Sequence, residues 1–188
     1  MIIDFRYSLG MNNKLKSKLI PVCLTLLVIA LDQLTKFFVV KYIPLFSVFA
    51  DDAIIEVFGK YLRIIHVRNN AIAFSLGTNL SQSLRSILFG LFPLGIIIAV
   101  FSVYFRNNDF TKLQRWAICG ILGGGLGNLI DRFFRPLGVV DFIDVYFFGI
   151  AGMERWPTFN VADSAVVVCG IIFLITFGKQ IYCDTRKK

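Results

Sequence analysis

A dense set of polar residues interrupts one largely apolar stretch of this chain, among them Asn128, Asp131, Arg132, Asp141, Asp144, Asn160 and Asp163. A charge at mid-bilayer costs at least ~2.5 kcal/mol, so ionisable groups at this density read as an active site at one membrane surface. Asp141 lies in Val139-Val140-Asp141-Phe142-Ile143-Asp144, where burial favours the neutral carboxyl. Asp163 follows Asn160 by three residues at the expected start of a helix. That spacing suits an N-cap with an acid in the first turn, and it also suits a carboxylate held for chemistry. The two readings are compatible. Two carboxylates meeting in one pocket do not both ionise readily, so one keeps a proton. Such a dyad activates water and protonates a leaving amine, which is acyl hydrolysis without a covalent intermediate.

Other residues are placed to support that pair. Asn128, Asp131 and Arg132 stand at i, i+3 and i+4 on one helix face, either as a polar belt at a helix end or as part of the site. The Arg132 fork suits a carboxylate or a lipid phosphate equally. Asp32 and Lys36, at i and i+4, read as an ion pair that positions a helix end. Arg68-Asn69-Asn70 reads as a polar loop whose amides can bind a peptide backbone. The single histidine, His66, sits in a strand-like run, and no Gly-x-Ser-x-Gly motif is present, so a serine triad is not indicated. Cys23, Cys119, Cys169 and Cys183 lack metal-ligand spacing, and neither a metal nor a cofactor is expected.

Composition says what must position these groups. Of 188 residues 56% are hydrophobic and 17% charged, with mean hydropathy +0.71. A soluble domain would carry about 25% charged residues, so the chain falls in the membrane class. Apolar runs predict four spans, near 19–42, 83–105, 116–134 and 160–177, in one integral-membrane domain. Leu19–Leu31 looks like a signal-peptide core, but no small-residue cleavage site follows, so the first span is expected to be retained. Met11 is an alternative start. Pro93 is expected to kink the second span and Trp116 to anchor the third at the interface. Segments 1–18, 106–115 and 179–188 together carry the whole net charge of +8. That places them and both termini in the cytoplasm, with 43–82 and 135–159 outside, and argues against nucleic acid as a partner. Ile54–Val57 and Tyr61–Val67, separated by Gly59-Lys60, predict a hairpin in a small extracytoplasmic sheet. Ile43–Phe49 reads as an interfacial helix. Gly120, Gly123, Gly124 and Gly127 suit close packing of the third helix on a neighbour.

Four blocks together resemble the signal peptidase II family. They are Asp32-Gln33-Leu34-Thr35-Lys36, Arg68-Asn69-Asn70-Ala71-Ile72-Ala73-Phe74-Ser75, Gly127 to Arg132 leading to Val139-Val140-Asp141-Phe142, and Phe159-Asn160-Val161-Ala162-Asp163-Ser164. The resemblance covers residues 19 to 177. It implies a monomeric aspartyl endopeptidase of the bacterial inner membrane, a mainly α protein with four transmembrane helices and a small β-cradle. It implies a lipidated prolipoprotein as substrate, cut before the lipidated cysteine near the outer face, with membrane lipid as the surrounding partner. On this likeness Asp141 and Asp163 are catalytic, while Asp32, Lys36, Asn69, Asn128, Asp131, Arg132 and Asn160 bind or support. One departure stands out: Ala71-Ile72-Ala73 replaces the usual Gly-Ala-Ala, so the bulkier Ile72 is expected to reshape the substrate loop. The competing expectation is a small ion or proton-coupled transporter, which would also hold intramembrane acids and bases.

Overall fold

The computed structural model describes residues 15–47, 53–69, 84 and 87–186. Its elements in chain order are α1 (Val22–Tyr42), β1 (Ile54–Phe58), β2 (Leu62–Asn69), a π-turn (Ile87–Leu91) running into α2 (Phe92–Arg106), α3 (Lys112–Phe134), β3 (Val139–Val145) and α4 (Val161–Thr185). Ile72 and its neighbours in 70–83 lie outside the described residues, as does Met11.

Among the described residues three helical stretches, Leu15–Tyr42, Ile87–Arg106 and Val161–Thr185, are long and apolar enough to cross a membrane. Their outward residues are large and apolar, among them Leu26, Phe38, Ile98 and Leu174, as expected of surfaces that meet lipid. The 23-residue α3 is central and packs against α1, α2 and α4. Its glycines permit this. A methyl group at Gly123 would sit 2.9 Å from Val28 Cβ, and one at Gly127 would sit 2.8 Å from an Asp32 carboxylate oxygen. Helix-packing glycines are confirmed on this face.

Local chemistry sets the helix ends. Thr111 and Gln114 form a reciprocal capping box, so α3 begins at Lys112, one turn before Trp116. Asn160 and Asp163 form the same device at α4, which continues to Thr185, two turns past the expected end of the fourth span. Proline stops α1 and α3. Ile43 and Arg135 precede Pro44 and Pro136, and both are extended, because the proline ring disfavours the α conformation of the residue before it. Ile43–Ser47 is consequently not the interfacial helix that its apolar pattern suggested; the Phe46 N–H instead donates to the His66 carbonyl.

The predicted hairpin is present as β1 and β2, and β3 joins it to make an antiparallel sheet in the order β1-β2-β3. A bulge interrupts β2. Ile64 pairs with Ile143, but Val67 pairs with Asp141, so β2 spends one more residue than β3 over that interval. The sheet seats on the helices through Val39, Ile43, Val140 and Phe142. Asp144, which is buried, binds Arg63 at 2.7 Å and Arg155 at 2.6 Å, tying the aromatic insert after β3 to the sheet. At the other end of the helices Tyr104 is fully buried and its hydroxyl donates to the Lys18 carbonyl at 2.6 Å.

Candidate active site

The capping box of α4 is also the centre of the site. Asn160 accepts the Asp163 N–H on its side-chain oxygen at 2.9 Å, while its own N–H donates to Asp163 Oδ2 at 3.1 Å. That leaves the Asn160 amide nitrogen pointing away from the helix, where it donates to Asp141 Oδ1 at 2.7 Å and to Asn128 Oδ1 at 3.0 Å. Asn128 closes the circuit by donating to Asp163 Oδ1 at 2.7 Å. Two asparagines thus link the two acids, which come from β3 and from the first turn of α4.

The bulge in β2 supplies the other contact to Asp141. Side chains alternate along a strand, so one extra residue reverses the face of everything after it. Asn69 thereby shares the face of Asp141 and donates to its Oδ2 at 3.0 Å. Burial, first, and then the charge of Asp163 push the Asp141 carboxyl up from 3.8 to about 6, although the Asn69 and Asn160 hydrogen bonds oppose this.

Beneath the acids lies a fully buried ion cluster. Lys36 Nζ meets Asp32 at 2.8 Å and Asp131 at 2.9 Å, and it donates to Asn128 Oδ1 at 2.9 Å. Asp32 Oδ1 accepts the Ala162 N–H at 3.0 Å, pinning the start of α4 to α1. Asp131 Oδ2 accepts the Val140 N–H at 3.0 Å, fixing the residue before Asp141. The Asp32–Lys36 pair is present as its spacing suggested, and it does more than order a helix end because it reaches Asn128 directly.

Arg132 makes no hydrogen bond or ion pair to a described residue, yet it lies in the electrostatic reach of Asp163 and Asp141. It lines a cavity of about 370 Å³ between α2, α3 and α4 whose walls include Ile96, Val100 and Val166 and whose floor includes Asn128 and Asp163. His66 is a sheet residue, buried, and its Nδ1 lies 2.9 Å from the Ile43 carbonyl oxygen.

Two residues were missed by the sequence reading. Gln33 donates to Asp131 and to the Gly127 carbonyl, and Arg135 binds Asp131 at 3.1 Å and Gln33 at 3.2 Å. The i, i+4 spacing of Asp131 and Arg135 was the available signal for one of them.

A model of the family described as "Signal peptidase (SPase) II" matches residues 24–178. The chain belongs to the signal peptidase II family. Curated relatives agree with this membership. The chain is 48% identical over 165 residues to the lipoprotein signal peptidase of Treponema pallidum (strain Nichols), a match that covers 88% of this chain and 86% of the relative. It is 52% identical over 161 residues to the protein of that name from Treponema denticola, covering 86% and 89%. Among solved structures, a bacterial membrane enzyme determined by the in meso method at 2.3 Å superposes with TM-score 0.70 and 28% identity, covering 86% of this chain and 88% of that one. A second, at 1.9 Å, gives TM-score 0.68 over 84% and 91%. Signal peptidase II membership removes the transporter reading. It also fits a set of ionisable groups gathered at one end of the helices, where a transport path would distribute them along their length.

Proposed function

We propose that this protein is an aspartic endopeptidase that removes the signal peptide from lipidated prolipoproteins, with Asp141 and Asp163 as the catalytic pair. The observation that carries the reading is the Asn160–Asn128 bridge, which joins a carboxylate of β3 to one of α4 in a site walled by apolar helices. Asp141, raised to about 6, carries the shared proton. Asp163 takes a proton from water as the water oxygen attacks the scissile carbonyl. Asp141 gives its proton to the departing amine, so one water is consumed and an acid and an amine are formed. Asn69 and Asn160 hold Asp141 in place, and the 370 Å³ cavity offers apolar walls to a lipid chain or a signal helix, with Arg132 at its polar end. The test is cleavage of a synthetic diacylglyceryl-modified precursor peptide by the purified protein in detergent. A folded protein that leaves this peptide intact from about pH 5 to about pH 8 overturns the assignment.

The same reading places α3 across the membrane with α1, α2 and α4, both termini in the cytoplasm and the acids at the outer face, in a monomer of the bacterial inner membrane. The basic segments support this orientation. A cysteine placed at Asn108, in a background without exposed Cys23 and Cys183, should resist an impermeant thiol reagent in intact cells; labelling there reverses the topology.

The Asp141 carboxyl also predicts how stability depends on pH. Its folded state binds the proton more tightly than the unfolded chain does. The stability this contributes is complete below the ordinary value near 3.8 and is lost as pH rises through about 6. The change is on the order of 3 kcal/mol. The wild type should therefore lose melting temperature in detergent between about pH 4 and about pH 8, and Asp141→Asn should flatten that loss. An identical pH profile in the variant would contradict the burial of this group.

A further inference from the structure

A second cleft, of about 300 Å³, opens between the end of α1 and the turn that joins α3 to β3. Phe37, Val40, Phe134 and Leu137 form its apolar walls, and Arg68 and Arg135 supply its charge. Phe37, Val40, Phe134 and Leu137 are exposed on the outside of the helix bundle, so in a membrane they meet lipid. Arg68 Nε is buried without a hydrogen-bond partner, and no described residue accepts a hydrogen bond from this guanidinium. An unpartnered buried donor of this kind costs about 1–3 kcal/mol. Arg135 is bound on one side to Asp131 and Gln33. Asp131 lies in electrostatic reach of Arg68, but its oxygens are engaged by Lys36, Arg135, Gln33 and the Val140 N–H, and no described carboxylate forms an ion pair with Arg68. Lys41 adds a third cation near the mouth, its ammonium 5.7 Å from the Phe37 ring centre.

We propose that this cleft holds the phosphodiester headgroup of a membrane phospholipid, with Arg68 and Arg135 as its cationic contacts. Planar guanidinium forks match phosphate oxygens in pairs, and apolar walls beside them suit the start of the acyl chains. The chemistry favours an anionic headgroup, since a choline or ethanolamine would bring a cation toward two arginines. The site is separate from the acids yet one step from one hold on Asp141 and from the contact that fixes the residue before it. Arg68 precedes Asn69, the donor to Asp141 Oδ2, and Arg135 binds Asp131, the acceptor of the Val140 N–H.

The experiment needs no cleavage reaction, so it stands apart from the proposed peptidase activity. Purified full-length protein is equilibrated in mixed micelles with phosphatidylglycerol, phosphatidylcholine or diacylglycerol, and retained lipid is counted by native mass spectrometry. Phosphatidylglycerol should be retained over both others, and Arg68→Gln should lower its retention about fivefold, the factor expected for one basic residue at a lipid surface. Arg68→Lys, which keeps charge and loses the fork, should fall between the two. Equal retention of diacylglycerol, which has no phosphate, overturns the proposal. So does displacement of the lipid by inorganic phosphate alone, which would make the site one for a free anion. Unchanged retention in a folded Arg68→Gln protein overturns it as well.

Discussion

Changing Asp141 to Asn will lower turnover of a lipidated precursor by about a thousandfold or more, and Asp163→Asn will do the same. The double variant will lose little beyond either single one, because groups that act in one proton-transfer step are not additive. The geometry behind this expectation is the pair of asparagine links, which make each acid part of the other's surroundings. Precursor binding should persist in all three variants, since apolar walls and not the acids would hold a lipid and a signal helix. The pH–rate profile of the wild type should show two limbs that belong to the pair, with the Asp141 carboxyl, raised to about 6, contributing to them. A variant lacking either carboxylate that turns over precursor at the wild-type rate would sink the assignment.

The second large effect is expected at Lys36, and it falls on folding before it falls on chemistry. Its ammonium is the shared partner of Asp32 and Asp131, and all three side chains are fully buried. Lys36→Met fills much of the same volume but leaves two carboxylates without their common cation. Removing one partner from a buried ionic group costs about 3–5 kcal/mol, a large share of the stability of a protein this size. The variant should accumulate poorly and melt far below the wild type in detergent. Adding Asp32→Asn should recover part of the loss by removing one stranded charge. If Lys36→Met melts like the wild type, the cluster is not holding α1, α3 and α4 together.

Much of this arrangement was legible in the sequence, for reasons that differ from element to element. The apolar helices announce themselves by length and hydropathy, and the Asn160–Asp163 spacing by the needs of a helix N-terminus. The β1–β2 hairpin follows from β-branched runs around Gly59-Lys60. β3 was harder to see because Val139, Val140 and Phe142 are buried on both faces, so apolar and polar positions do not alternate. Its partner β2 lies more than seventy positions upstream, and no local pattern encodes that pairing. Separation in sequence also hid the contacts of Asn128 and Asn160 with the two acids, 35 and 19 positions away. Each asparagine looks like an ordinary helix residue until α3, β3 and α4 are brought together. Pro44, in plain view, should have counted against a helix from Ile43 onward.

The extra residue in β2 has an implication for which changes the lineage of this chain can accept. Substitutions at Ile65 or His66 alter packing, but they leave the count of residues between Ile64 and Asn69 untouched. A single deletion between Ile64 and Val67 would absorb the extra residue and keep Val67 opposite Asp141, whereas a deletion at Arg68, past the bulge, would turn the Asn69 amide away from Asp141. Spacing from Val67 to Asn69 is therefore held more tightly than residue identity. Drift in composition, and even loss of the extra residue itself, is tolerable here, whereas the loss of the Arg68 codon would leave a paired sheet beside an acid that has lost one of its two holds.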